Sequence, residues 1–109
     1  MSELSQQAQR KLNKLKLDYV QSLPEKIQLI EQSWENNDLD DLRMQTHKIA
    51  GSAASFGLPD LSFAARTLEA LCKTRIDNNR GIVVSMKNDK TLVNAYHVLL
   101  KAFRKNIEG

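Results

Sequence analysis

The segment HKIAGSAASFG, residues 47–57, predicts a helix that holds a histidine toward water and leaves the surface beside it bare. Successive residues of an α-helix are rotated by roughly 100°, so apolar residues at i, i+3, i+4 and i+7 form one core-facing stripe. Here that stripe consists of Leu39, Leu42, Thr46, Ile49, Ala50, Ala53 and Phe56. His47 lies roughly 115° from the centre of the stripe, and Gly51 follows one turn later. Because glycine in a helix costs about 0.5–1 kcal/mol relative to alanine, we expect Gly51 to have a function.

The N-terminal part of the chain also has helical periodicity. Its apolar stripe consists of Leu4, Ala8, Leu12, Leu15, Tyr19 and Leu23. Pro24 disfavours the α conformation of the residue before it and suits the first turn of a helix. We therefore expect the first helix to end or kink at Pro24 and a second helix to begin there. Residues 36–38 are expected to break the chain after this second helix.

Capping residues predict where the later helices begin and end. Asp38 can cap the histidine helix, which extends from Leu39 to Phe56, and Gly57 can end it. The next helix begins at residue 59, residues 78–81 form a turn, residues 82–84 are either loop or helix extension, and Asp89 caps the last helix. The apolar faces of these two helices are residues 61, 64, 65, 68, 71 and 72, and residues 92, 96, 99, 100, 103 and 107. The predicted fold is all-α, an antiparallel four-helix bundle with an additional broken N-terminal helix.

Composition indicates one small helical domain covering residues 1–109. The chain is 41% hydrophobic, and its single cysteine excludes an internal disulfide, as expected for a reducing cytoplasm. No stretch has the apolar length of a signal peptide core or of a membrane span, which needs roughly 20 residues. A net charge of +3 permits an acidic partner. It does not predict nucleic-acid binding, which needs concentrated basic residues.

Residues 47–69, HKIAGSAASFGLPDLSFAARTLE, resemble the signature of histidine-containing phosphotransfer (HPt) domains, the small helical bundles of multistep phosphorelays. The family pattern has a phosphorylatable histidine, an apolar residue two positions later, glycine at four, serine or threonine at five, small residues at six and seven, and a second glycine at ten. In this chain those positions are His47, Ile49, Gly51, Ser52, Ala53, Ala54 and Gly57. The resemblance implies a phosphocarrier without kinase activity, and no glycine-rich ATP-binding loop is present.

The resemblance also implies the roles of two charged residues. Many family members have lysine three positions after the histidine, where this chain has Ala50, so Lys48 becomes the candidate cation for the phosphoryl group. If two helices turn back at Leu58, His47 and Glu69 are each eleven residues from the turn and lie level. In the family, a Gln or Glu at the position of Glu69 contacts the histidine ring and would fix its tautomer.

We expect the partners to be receiver domains of response regulators and a hybrid sensor kinase, with the magnesium ion on the receiver and no cofactor in this chain. Gly51 would let a partner approach, and Met44, Ala54 and Ser55 would form the docking surface around His47 and Lys48. The domain is expected to be monomeric. Two other interpretations remain open: an adaptor that binds a partner on this face without chemistry, and, less favoured, a basic nucleic-acid-binding bundle.

Several chemically conspicuous residues have structural explanations instead. Cys72 lies on a core stripe and is expected to be a buried thiol, and Trp34 is expected in the core. His97 has no further metal-ligand type at i+3 or i+4, so no metal site is predicted. Ser52 is expected to hydrogen-bond to its own or a neighbouring helix. The lysines of residues 11–16 are most simply a solvated helix face.

Overall fold

The computed structural model describes residues 3–79 and 85–108 and consists of helices over that part of the chain. α1 spans Glu3–Glu35, α2 spans Leu39–Ser55, α3 spans Pro59–Asn79 and α4 spans Lys90–Glu108, with a 3₁₀ turn at Met86–Asn88 before α4. α1 packs against α2 and α4, and α3 packs against the other sides of the same two helices. The predicted all-α four-helix bundle is thereby confirmed. Residues 80–84, which include the undecided segment 82–84, lie outside the described residues.

The predicted break at Pro24 is wrong, because α1 continues through the proline as one helix of 33 residues. Proline inside a helix costs about 3 kcal/mol, mainly by removing a backbone donor and crowding the preceding turn. Leu23 and Ile30, on either side of Pro24, are both fully buried. Because packing of an amphipathic face supplies most helix stability in proteins, burial on both sides of Pro24 offsets its cost.

Helix ends otherwise lie close to their predicted positions. The Asp38 side chain accepts the backbone N–H of Asp41 at 3.0 Å and caps α2. Gly57 has φ +73°, the left-handed conformation that ends a helix with little strain when the residue is glycine. Asp89 Oδ1 accepts the N–H groups of residues 91 and 92 and caps α4. In contrast to the predicted turn, α3 includes residues 78 and 79.

The core contains most of the predicted stripes. Its fully buried members with the largest side chains are Phe103, Leu23, Ile30, Leu42, Leu61, Leu68, Met86, Leu92, Leu99, Thr46, Cys72 and Ser33. Trp34 is buried and stacks on Tyr96 with ring centroids 4.1 Å apart. Leu71 is only half-buried. Ile107, predicted on the core stripe of α4, is 38% exposed because it lies in the last turn of the helix.

The first half of α1 extends beyond the bundle, and the prediction that its apolar stripe is buried is wrong at Ala8, Leu12 and Leu15. The side chain of Leu4, also predicted on this stripe, lies outside the described residues. Residues 5–18, which we call the α1 overhang, are all exposed, including Leu12 at 59% and Leu15 at 44%. At 1.5 Å per residue α1 is about 50 Å long, whereas α2, α3 and α4 are about 26–32 Å long. Within the described residues, the overhang therefore has no neighbouring helix to pack against.

Candidate functional site

His47 lies midway along α2 and is directed into solvent, since its side chain is 72% exposed. Its neighbours on the other side of the helix, Thr46, Ile49 and Ala50, are buried in the core. The Thr46 hydroxyl donates to the carbonyl of Leu42 at 2.8 Å, which allows a polar residue inside the apolar stripe. The rotation of α2 about its axis is thus set by its buried face, and this rotation turns His47 outward.

The imidazole of His47 contacts the carboxylate of Glu69 on α3. His47 Nδ1 and Glu69 Oε2 lie 2.5 Å apart, and the Glu69 side chain is 21% exposed. This is the contact that the hairpin of α2 and α3 predicts. An ionised carboxylate only accepts hydrogen bonds, so Nδ1 holds the ring proton. Nε2 of a neutral ring is then left with its lone pair and no proton.

Gly51 follows one turn after His47 and is exposed. A Cβ built at this position would meet nothing within 4 Å outside its own stretch of helix. Among the helices that the structure describes, no crossing therefore requires a glycine here. The missing side chain leaves open surface beside the imidazole.

The other predicted site residues share the outer face of α2. Met44 is 43% exposed, and Lys48, Ala54 and Ser55 are also exposed. Among the residues that the structure describes, no carboxylate lies within ion-pair distance of Lys48. Its ammonium is thus available to an anion bound beside His47.

Two serine hydroxyl groups link α2 to its neighbouring helices near the site. The Ser52 hydroxyl donates to the Lys48 carbonyl at 2.8 Å and lies 2.6 Å from the Tyr19 hydroxyl of α1, so both expected types of bond are present. On the opposite side, the Ser62 hydroxyl of α3 donates to the Ala50 carbonyl at 2.8 Å. Sequence reasoning did not identify Ser62, although a small polar residue on a core-facing stripe was an available signal. These bonds connect the segment containing His47 to both flanking helices.

Cys72 and His97 lie in different environments. Cys72 is fully buried, and burial raises the pKa of its thiol to about 12, so the thiol is protonated at neutral pH. His97 is exposed on α4 with its ring centroid 5.9 Å from that of Tyr96.

Within residues 3–79 and 85–108, no group of three or more His, Cys, Asp or Glu side chains could hold a metal ion. In the same residues no helix is long and apolar enough to span a membrane.

The Hpt domain family model matches residues 14–102, which is most of the chain. The chain belongs to the Hpt domain family. Hpt domains act in phosphorelays by histidine phosphotransfer, and they are phosphocarrier modules that interact with receiver domains and kinases. Searches of curated proteins and of solved structures returned no match.

Proposed function

We propose that His47 accepts a phosphoryl group from the aspartate of one receiver domain and passes it to the aspartate of another. The single observation that supports this most strongly is the contact of His47 Nδ1 with Glu69 beside an exposed ring. One nitrogen is oriented and protonated by the protein, and the other faces solvent as a nucleophile.

In the proposed step, the Nε2 lone pair of His47 attacks the phosphorus atom of an aspartyl phosphate. The P–N bond forms as the P–O bond breaks, and the aspartate leaves as a carboxylate with the electron pair of that bond. The ring becomes cationic, and Glu69 stabilises this charge through the retained Nδ1 proton. The reverse reaction with a second receiver regenerates neutral His47, so the domain ends each cycle unchanged.

Lys48 and Gly51 are proposed to assist this transfer in different ways. The mobile ammonium of Lys48 would neutralise charge on the phosphoryl oxygens, a role that Ala50 cannot supply in this chain. The bare surface at Gly51 would let the backbone of the receiver approach His47. Met44, Ala54 and Ser55 would complete the docking surface, with Mg²⁺ held by the receiver and this domain acting as a monomer.

The test is transfer from a phosphorylated receiver labelled with ³²P. We expect wild-type protein to take up acid-labile label, and we expect none in His47→Gln, while His97→Gln behaves as wild type. Lys48→Ala is expected to slow transfer several-fold, since a charge-assisted contact is worth about 1.5–3 kcal/mol and 1.4 kcal/mol is tenfold in rate. Label retained by His47→Gln would refute the proposal. An unchanged transfer rate in Lys48→Ala would mean that another residue supplies the cation, with Arg43 the next candidate.

A helical adaptor that binds a receiver on the same face without chemistry is the second candidate. The exposed apolar and small residues of α2 would serve it equally well. The same assay separates the two functions, because an adaptor binds the phosphorylated receiver but leaves its label in place.

A further inference from the structure

The α1 overhang presents an apolar stripe to solvent. Leu12 and Leu15 continue the stripe that is buried further along α1 at Tyr19 and Leu23, yet they are 59% and 44% exposed. The family match begins at residue 14, so Leu12 precedes the matched range and Leu15 lies within it. Adjacent exposed apolar side chains favour a site of interaction when they form one continuous patch, unlike single exposed ones.

The overhang begins where α1 contacts the C-terminal part of the histidine helix. Tyr19 is hydrogen-bonded to Ser52 and stacks on Phe56 with ring centroids 4.7 Å apart. The Lys16 ammonium lies 3.9 Å from the position that a Cβ would occupy at Gly57. The open face of α2 is therefore continuous with the base of the overhang.

Helix geometry gives the separation between the overhang and His47 along the bundle axis. Ser52 is five residues beyond His47 on α2, and Leu15 is four residues before Tyr19 on the antiparallel α1. At 1.5 Å per residue, Leu15 lies about 14 Å and Leu12 about 18 Å above His47 along the bundle. A protein interface of standard size covers about 800 Å² on each partner, a patch with a radius of about 16 Å. Because the axes of packed helices are also about 8–10 Å apart, Leu15 lies about 17 Å and Leu12 about 20 Å from His47. A receiver centred on His47 thus ends close to Leu15, and one displaced by a few ångströms toward the overhang covers both leucines.

The charge of the overhang selects the type of partner. Residues 5–18 contain the four basic side chains Arg10, Lys11, Lys14 and Lys16 and one acidic side chain, Asp18. The phosphoryl group and Mg²⁺-binding carboxylates of a receiver dock at His47, so the positive charge of the overhang acts on that anionic face by steering its approach rather than by direct contact. The overhang of a second copy would have the same positive charge and would be repelled. The basic, apolar overhang is therefore better suited to bind a receiver than to bind the overhang of a second copy.

We propose that Leu12 and Leu15 form a second contact area for the receiver that exchanges its phosphoryl group with His47. The receiver would then contact two surfaces, the exposed face of α2 that carries His47 and the apolar stripe of the α1 overhang. This inference rests on the proposed function, since it extends the docking surface of the same receiver. Contact with the overhang increases the affinity for the receiver, although Leu12 and Leu15 do not touch the reacting atoms.

The experiment compares two double variants of the full chain. Leu12→Ser/Leu15→Ser removes the proposed contacts, and Leu17→Ser/Val98→Ser is its control. Leu17 and Val98 are also exposed, at 56% and 58%, but Leu17 lies roughly 140° around α1 from Leu12 and Val98 is on α4. We expect the Kd and KM for the receiver to rise roughly tenfold in the first variant, with kcat within twofold of wild type. The control should match wild type.

A second measurement needs no substitution. Adding unlabelled receiver to ¹⁵N-labelled wild-type protein should shift the amide resonances of residues 11–16 together with those around His47. Unshifted overhang resonances, or equal affinity of the two double variants, would overturn the inference and leave the proposed function standing. Failure of wild-type His47 to accept label from any receiver would instead refute the proposed function. A wild-type dimer in sedimentation that Leu12→Ser/Leu15→Ser abolishes, with receiver affinity unchanged, would assign the stripe to a second copy.

Discussion

At the scale of single residues, the chemistry of the site depends on the contrast between His47 and Glu69. The imidazole is 72% exposed, whereas the carboxylate is 21% exposed and 2.5 Å from Nδ1. Because the carboxylate is partly buried, its contact with Nδ1 is less screened by water than a fully exposed contact would be. Glu69 is therefore a positioning residue, and its removal should change reactivity more than stability.

We expect Glu69→Ala to lower kcat for phosphoryl transfer about tenfold while the KM for the receiver stays within twofold. Glu69→Gln should retain more activity, because an amide oxygen still accepts the Nδ1 proton. ¹⁵N spectra of the His47 ring should show the Nδ1–H tautomer in wild type and a tautomer mixture in Glu69→Ala. Asp60 lies on α3, as Glu69 does, and forms an exposed ion pair with Lys105 of α4, so Asp60→Ala is the matched control. Wild-type kcat in Glu69→Ala would exclude the positioning role.

Gly51 and Gly57 make a second residue-scale comparison, because they are glycines for different reasons. A Cβ at Gly51 meets nothing within 4 Å, so Gly51→Ala should raise the free energy of unfolding by up to about 1 kcal/mol through helix propensity. Gly57 has φ +73°, so Gly57→Ala should lower that free energy by about 1 kcal/mol. Urea titrations measure both changes. Gly51→Gln should stay folded yet block transfer, and its unfolding would assign Gly51 to packing.

At the scale of elements, each helix is held by specific polar contacts at its ends and sides. The Ser33 hydroxyl of α1 hydrogen-bonds to the carboxylate of Asp41 near the start of α2. Asp89 caps α4 and also accepts from the Arg75 guanidinium of α3 at 2.6 Å. Asp89 therefore connects α3 to α4 near the end of the bundle opposite the overhang.

We expect Asp89→Ala to lower the free energy of unfolding by about 1–2 kcal/mol at pH 7, the usual cost of losing a helix cap. The hydrogen bond from Arg75 holds the pKa of Asp89 below its ordinary value, and the capped N–H groups act in the same direction. The stabilisation is then complete above pH 4 and is lost as the pH falls through the lower folded-state pKa. Urea titrations at pH 7 and pH 2 measure this difference between wild type and variant. A difference independent of pH would exclude the ionic contribution.

At the scale of the whole molecule, one core holds the bundle together while α1 extends past it. The longest dimension of the molecule is 58 Å against 25 Å and 17 Å for the others, in agreement with a single long helix beside three shorter ones. The buried thiol of Cys72 reports on the integrity of this core because it is the only cysteine in the chain.

We expect Cys72 to react with a disulfide reagent only through unfolding of the bundle. Burial raises the pKa of the thiol to about 12, so the reactive thiolate is scarce as well as inaccessible at neutral pH. The labelling rate should rise with urea in parallel with loss of helical circular dichroism. Lys73→Cys in a Cys72→Ala background places a thiol at the neighbouring exposed position and should react at once. Equally fast labelling of native Cys72 would contradict the burial of this residue.

The local pattern of the sequence was sufficient for the helices, for their caps at Asp38 and Asp89, and for the outward position of His47. These features depend on helical periodicity and on side chains within four residues of one another. The pairing of His47 with Glu69 was also predictable, because the turn between α2 and α3 is short and sets the register of two adjacent helices.

Only the tertiary structure decided the course of α1. Whether a helix passes through Pro24 depends on how much apolar surface is buried on each side, and that burial is supplied by other helices. The exposure of Leu12 and Leu15 has the same kind of cause, since a stripe is buried only as far as its neighbours extend. Periodicity records which face of a helix is apolar, whereas the relative lengths and positions of the packed helices determine which part of that face is covered.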